Sequence, residues 1–327
     1  MLSDRRLSRL MWLAGLMLLN IAAARPAAAQ KIWFSPRGGP TGVPDFMDLF
    51  RPDAPWQQAA SHVQVLEVTG QLRTTAPDRD LIQIINDLRR RGIGLAMGMG
   101  PLSGNTYAGK PCGYNVEGYS APGEAVAAAQ RIKSLGGVIQ YFTMDEPVYY
   151  GHYWGGRNAC HSSIADIAKE AAEKIRRVRE VFPQVQFGDV EPPQGFPPAT
   201  WLADLQTWFD AFHADTGQPL AYFRVELLYA EPWQQYIPPL TQLLRREGIP
   251  LQVIYDSNAD AANVSDERAI AGTIANFKAY ESGGRSPPDV ALIQYWSKYP
   301  SHALPETDPR SATYLVNQYV KWRQSGH

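Results

Sequence analysis

Beyond residue 30, short apolar runs alternate with amphipathic stretches along almost the whole chain, at a period near 35 to 40 residues. That spacing is too long for hairpins and suits strand–helix units. The pattern predicts strands at 31–36, 62–70, 92–100, 138–147, 184–192, 220–228, 251–257 and 290–296. Helices are expected at 55–61, 77–91, 121–135, 162–181, 200–215, 233–247, from Ser265 onward, and at 313–323. In the second helix Leu81, Ile84, Ile85 and Leu88 fall on one face. Gly136-Gly137 supplies a C-terminal stop, and Ser265 with Glu267 a capping arrangement. The third strand carries glycine or alanine at alternate positions, which puts the small residues on one face, where a closed barrel has least room. A nucleotide-binding use of those glycines fails, because Pro101 blocks a helix opening in the required register.

Eight strand–helix pairs in strict alternation exhaust the chain. The simplest closed architecture for that count is a single α/β domain, a (β/α)8 TIM barrel over residues 30–327. An open doubly wound sheet fits less well, since no phosphate-binding turn follows the first strand.

The first 29 residues read differently. Arg5, Arg6 and Arg9 precede an apolar run over 10–24, and Ala27-Ala28-Ala29 supplies the small residues of a signal-peptidase site. The run is shorter than the roughly 20 residues that cross a bilayer. A signal peptide cleaved between Ala29 and Gln30 is expected, leaving a secreted or periplasmic protein. Its removal takes away four arginines and one aspartate and moves the formal net charge from −1 to −4. That balance attracts neither nucleic acid nor an anionic membrane. A monomer with no membrane association after cleavage is expected. The two cysteines, Cys112 and Cys160, flank the fourth strand, and in an oxidising compartment they are expected to form a disulfide pinning two neighbouring loops.

The fourth strand, V-I-Q-Y-F-T-M-D-E-P over 138–147, ends in two carboxylates and a proline. Barrels carry their chemistry at the carboxyl ends of the strands. Those ends supply Glu67, Asp145, Glu146, Asp189, Glu191, Glu226, Asp256, Asn258, Gln294 and Trp296, and the loop after the fourth strand adds Tyr149, Tyr153 and Trp154. Only Arg224 and Lys298 are basic there, which disfavours a phosphate site. The histidines show no H-x-H or H-E-x-x-H spacing, so neither a metal nor any other cofactor is expected. Paired carboxylates and aromatic platforms suit glycoside cleavage: one carboxylic acid protonates the leaving oxygen while a second carboxylate attacks the sugar or activates water. Aromatic rings stack on the C–H faces of sugars, and polar side chains bind the hydroxyls. Strand parity pairs Asp189 with Glu191 and Arg224 with Glu226, so each pair is also readable as a structural polar layer, including a buried ion pair of Arg224 with a neighbouring carboxylate.

The pattern resembles the large clan of retaining glycoside hydrolases on (β/α)8 barrels, which carry N-E-P or a close variant at the end of strand 4 and a carboxylate at the end of strand 7. The resemblance implies Glu146 as acid/base and Trp296 as a floor for the sugar, with Asp256 as the partner carboxylate ahead of Glu226 and Glu191. Asp145 stands where the clan has asparagine, and Asp256 where it has glutamate. Substrate binding is expected from Asp145, Glu67, Asp189, Trp154, Tyr149, Asn258, Gln294 and Trp296, on a poly- or oligosaccharide. A carbohydrate-binding barrel without chemistry, a transglycosylase and a lyase are the alternatives.

Overall fold

The computed structural model describes residues 31–38, 42–68, 72, 75–257, 265–282, 285, 287–294 and 298–326. The expected signal segment over 1–29, together with Asn258 and Trp296, lies outside them. Eight parallel strands close into a barrel: β1 (Lys31–Ser35), β2 (Val63–Val68), β3 (Gly94–Met99), β6 (Tyr141–Asp145), β7 (Gln186–Glu191), β8 (Phe223–Val225), β9 (Leu251–Tyr255) and β10 (Val290–Gln294). Closure pairs β1 with β10, Ser35 opposite Gln294. The chain is a (β/α)8 barrel.

The helices are α1 (Gln57–His62), α2 (Asp78–Arg91), α3 (Glu124–Ser134), α4 (Ile164–Val181), α5 (Trp201–Thr216), α6 (Ile237–Glu247), α7 (Asp266–Glu281) and α8 (Ala312–Gln324). They bury their apolar stripes on the outside of the sheet. In α2 the buried face is Leu81, Ile84, Ile85 and Leu88. That helix stops at Gly92, whose φ of 71° is the left-handed cap that glycine adopts without a Cβ penalty. Ser163 and Ser265 cap α4 and α7, each accepting from a backbone N–H three residues on.

Two features depart from the alternation. The loop expected over 102–120 folds into a hairpin of β4 (Asn105–Tyr107) and β5 (Lys110–Cys112), and a π-helical turn, Tyr149–Tyr153, follows β6. The Cys112–Cys160 disulfide ties these two excursions together across 48 residues of sequence, assisted by Gly113 N–H donating to Asn158 O at 2.7 Å.

The barrel interior has two layers. Trp33, Val65, Ala96, Val190, Tyr222, Ile254, Val290 and Leu292 form the apolar one. Above it lies a polar one: Arg224 donates to both oxygens of Glu67, at 2.9 and 2.5 Å, and to Gln252. Thr143 donates to Glu67 at 3.0 Å and lies 2.6 Å from the Tyr222 hydroxyl. The ion pair anticipated for Arg224 is therefore made with Glu67, which stands on the opposite side of the barrel, four strands away by either route. Glycine and alanine on β3 do face inward at Ala96 and Gly98. At Gly98 a Cβ would meet nothing within 4 Å, so the space it leaves belongs to the barrel mouth.

Candidate active site at the barrel mouth

Above the polar layer, a cavity of about 200 Å³ opens among Ser35, Glu67, Gly98, Glu117, Asp145, Arg224 and Gln294. Alternation along β6 points Tyr141, Thr143 and Asp145 inward, and Asp145 lines this cavity. The same alternation would send Glu146 outward. It does not go there, because Glu146 takes φ 46°, a left-handed backbone that costs a non-glycine residue about 1 to 2 kcal/mol. Three contacts hold the turn in place. Glu146 N–H donates to Val190 O at 3.1 Å, Val148 N–H to Glu191 Oε1 at 2.6 Å, and Tyr149 N–H to Glu191 Oε2 at 3.1 Å. Such strained, over-determined residues concentrate at functional sites.

The Glu146 carboxyl consequently sits buried with other carboxyls. Burial first, then the charges of Glu226, Glu191, Asp145 and Glu117, push its pKa up to about 12. Glu226 follows β8, two residues beyond the inward Arg224 and after Val225, which faces the outer core. Its pKa rises to about 8, chiefly through burial and then through Asp256, Asp145 and Glu117, partly offset by a hydrogen bond from Glu146. The protonated Glu146 therefore donates to Glu226, and one acid–base pair shares a proton at the mouth. Asp256, buried at the end of β9, stands beside Glu226.

Other residues singled out from sequence lie elsewhere. Asp189 and Glu191 face away from the mouth, on the outer side of β7. Asp189 is fully buried and accepts from Trp208 Nε1 of α5 at 2.8 Å, and both oxygens of Glu191 are occupied by the turn after β6. Burial raises the pKa of both. Glu67 lines the cavity but is committed to Arg224 and Thr143. Gln294 is only 2% exposed, and its Oε1 has no hydrogen-bond partner among the described residues.

The aromatic residues after β6 form one packed shelf. Tyr149 stacks parallel to Phe196 at 6.4 Å, and Tyr150 lies 4.9 Å from Tyr149 and 5.4 Å from Trp154. All three shelf residues from this segment keep part of their surface exposed.

Glu117 is the mouth residue that periodicity could not find. It lies in the irregular segment after β5, accepts from the Tyr150 hydroxyl at 2.8 Å, and faces both Glu146 and Glu226. Its neighbour Gly118 has φ 80°, and a Cβ there would come 3.0 Å from Asp145 O and 3.4 Å from Glu146 O. Glycine lets this segment lie directly against the Asp145-Glu146 backbone. Two glycines bracketing an acid in a disulfide-tied loop are the signal the sequence offered.

A second, larger cavity of about 350 Å³ lies on the flank between α3 and α4. Its lysine, Lys174, is engaged by the carbonyls of Gly100 and Leu102 at 3.3 and 2.6 Å. It anchors the chain leaving β3.

No family model matches the chain, and no curated protein matches it. Among solved structures it is similar to GH10 from Paenibacillus barcinonensis, at 11% identity and a TM-score of 0.50, over 89% of this chain and 95% of that one. A GH18 chitinase from Pseudoalteromonas aurantia aligns at 8% identity and a TM-score of 0.49, over 90% and 99% of the two chains. An aldo/keto reductase from Brucella melitensis aligns at 11% identity and 0.44, over 88% and 86%. At such identities the likeness to the GH10 structure concerns the barrel fold.

Proposed function

We propose that this barrel cleaves glycosidic bonds in a poly- or oligosaccharide, with Glu146 as general acid. The feature that carries this reading is the pairing of Glu146 and Glu226, two buried carboxyls brought together at the carboxyl ends of β6 and β8, with burial and the neighbouring acids favouring the protonated form of Glu146. Glycoside cleavage needs an acid that keeps its proton until the leaving oxygen demands it, and a second carboxyl within reach. Glu226 takes the partner role ahead of Asp256, because Glu226 is the group that accepts from Glu146. Asp256 then acts on Glu226 through its charge. Asp145 borders the same cavity, and Tyr149 and Trp154 offer faces for a sugar beyond it. The disulfide suits an oxidising compartment, in keeping with export by the segment over 1–29.

The test is sugar release from a panel of polysaccharides by the mature protein beside Glu146→Gln, Glu226→Gln and Asp256→Asn. Loss of the general acid should cost about 100-fold or more, Glu226→Gln a comparable factor, and Asp256→Asn less. Unchanged release by Glu146→Gln would defeat the assignment. Glycan binding without release by the parent would favour a binding barrel.

A further inference from the structure

Resting on the glycosidase reading, we infer that Lys174, on the outer flank of the barrel, is a positioning residue for the acid–base pair: its ammonium clamps both feet of the 100–120 segment and so keeps Glu117 against Glu146 and Glu226. The two feet are the chain leaving β3 and the chain returning to α3. Lys174 Nζ donates to Gly100 O at 3.3 Å and Leu102 O at 2.6 Å on the outgoing foot, and to Ser120 Oγ at 3.2 Å on the returning one. Ser120 Oγ in turn donates to Gly100 O at 2.7 Å. An ammonium offers three protons and no acceptor, which matches the three oxygens of the segment around it. One turn earlier on the same face of α4, the Glu170 carboxylate accepts from the backbone N–H of Ser103. Two side chains of one helix therefore grip the same strand exit. Lysines on a helix usually keep the ammonium in water; this one gives it to backbone carbonyls.

From those feet the path to the chemistry is short. Ser120 N–H donates to Leu102 O at 2.8 Å and Leu102 N–H to Gly118 O at 3.0 Å, so the clamped residues hold the backbone next to Glu117. Gly118 lies against the Asp145 and Glu146 carbonyls, and Glu117 shares the mouth cavity with Asp145. There its charge helps to raise the pKa of both Glu146 and Glu226. Burial lowers the pKa of Lys174 itself to about 8, against the opposing charges of Glu170 and Glu124, so the clamp is charged at neutral pH. A lysine that merely fastened a loop would affect stability alone. Acting through Glu117, Lys174 sets the titration of the pair, and the sign of the effect identifies the route. Removing a cation raises the pKa of a carboxyl that feels it directly. Letting Glu117 lift away lowers that of Glu226, whose other charged or titratable neighbours are Asp256, Asp145 and Glu146.

The experiment follows the Glu226 carboxyl directly, by carbon-13 NMR titration of protein labelled at its glutamate side chains, the signal being assigned by its loss in Glu226→Gln. Lys174→Met should lower that pKa by about 0.5 or more, move the ascending limb of kcat/KM to lower pH, and reduce kcat more than it changes KM. Lys174→Arg should restore part of each. In a Glu117→Gln background, Lys174→Met should add little further. Ser120→Ala removes one contact of the clamp and the link between the feet; it should move the pKa the same way by less, and it decides the matter if Lys174→Met does not fold. An unchanged or raised pKa, or an undiminished fall in the Glu117→Gln background, would overturn the inference. If the parent and Lys174→Met release sugar with the same pH profile and the same Glu226 titration, this inference falls and glycoside cleavage stands. If the titration moves as expected and the parent releases no sugar, the cleavage reading falls and the positioning by Lys174 stands.

Discussion

The carboxylate of Glu191 accepts a 2.6 Å hydrogen bond from the backbone N–H of Val148, two residues beyond the acid at the barrel mouth. Glu191 sits on the outer face of β7, yet it governs where Glu146 points, because it ties down the turn that forces Glu146 into its left-handed backbone. It is a positioning residue. Glu191→Ala leaves two backbone donors unsatisfied and should destabilise the fold by about 2 to 4 kcal/mol. It should also lower kcat more than it changes KM. Glu191→Gln keeps one accepting oxygen and should recover part of both. Full activity in a folded Glu191→Ala protein would contradict this role.

The Arg224–Glu67 pair is buried at the barrel centre, and its fate depends on which partner is removed. Arg224→Met alone leaves the Glu67 charge without its guanidinium and should cost about 3 to 5 kcal/mol. Adding Glu67→Gln should restore much of that loss, since no uncompensated charge remains. Denaturant unfolding of the two single variants and the double variant measures the coupling; simple additivity would show that the pair is not a unit.

Glu226 sets a pH dependence of stability. Its folded pKa of about 8 lies above the ordinary carboxyl value of 4.5, so between those values the folded protein binds more protons than the unfolded one. The contribution is fully present below about pH 4.5 and is lost as pH rises through about 8. Tm should therefore fall across that interval, and Glu226→Gln should remove its share of the fall while leaving the part due to Glu146, whose pKa is also raised. The ascending limb of kcat/KM should lie near the same upper value, and Asp256→Asn should move it to lower pH, because one negative charge beside Glu226 is gone. A limb that does not move would remove Asp256 from the pair's surroundings.

Cys112–Cys160 closes a loop of 48 residues, for which chain-entropy reasoning gives about 4 kcal/mol of stabilisation. The mature oxidised protein should show no free thiol after denaturation. Cys112→Ser/Cys160→Ser should lower stability and make the β4–β5 hairpin the first site of proteolysis. Two titratable thiols in the oxidised protein would rule the staple out.

Gly118→Ala introduces a methyl 3.0 Å from Asp145 O on a backbone that L side chains rarely adopt. The segment carrying Glu117 must then lift, and activity should drop at least several-fold while the barrel melts within a few degrees of the parent. A parent-like rate would show that this segment does not close on the acid.

The barrel itself was legible in the sequence. Every strand from β1 to β10 that closes it falls within an expected apolar run, and α2 and α4 end where their glycine stop and apolar stripe say they should. These signals are local: side-chain period, caps and breakers act over a few residues, so they survive in one dimension. The partnership of Cys112 with Cys160 was legible as well, in a chain with two cysteines. The site was only half legible. Alternation cannot foresee that Glu146 leaves its strand's parity, because Glu191 imposes that turn from the neighbouring strand, more than forty residues away in the chain. Nor can it tell that Asp189 and Glu191 look outward, that Arg224 chooses Glu67, or that an irregular loop delivers Glu117 to the mouth. Periodicity sorts residues to faces. The closure of the barrel and the packing of loops across its rim decide which carboxyls share a proton, since burial and mutual charge arise only when distant segments meet.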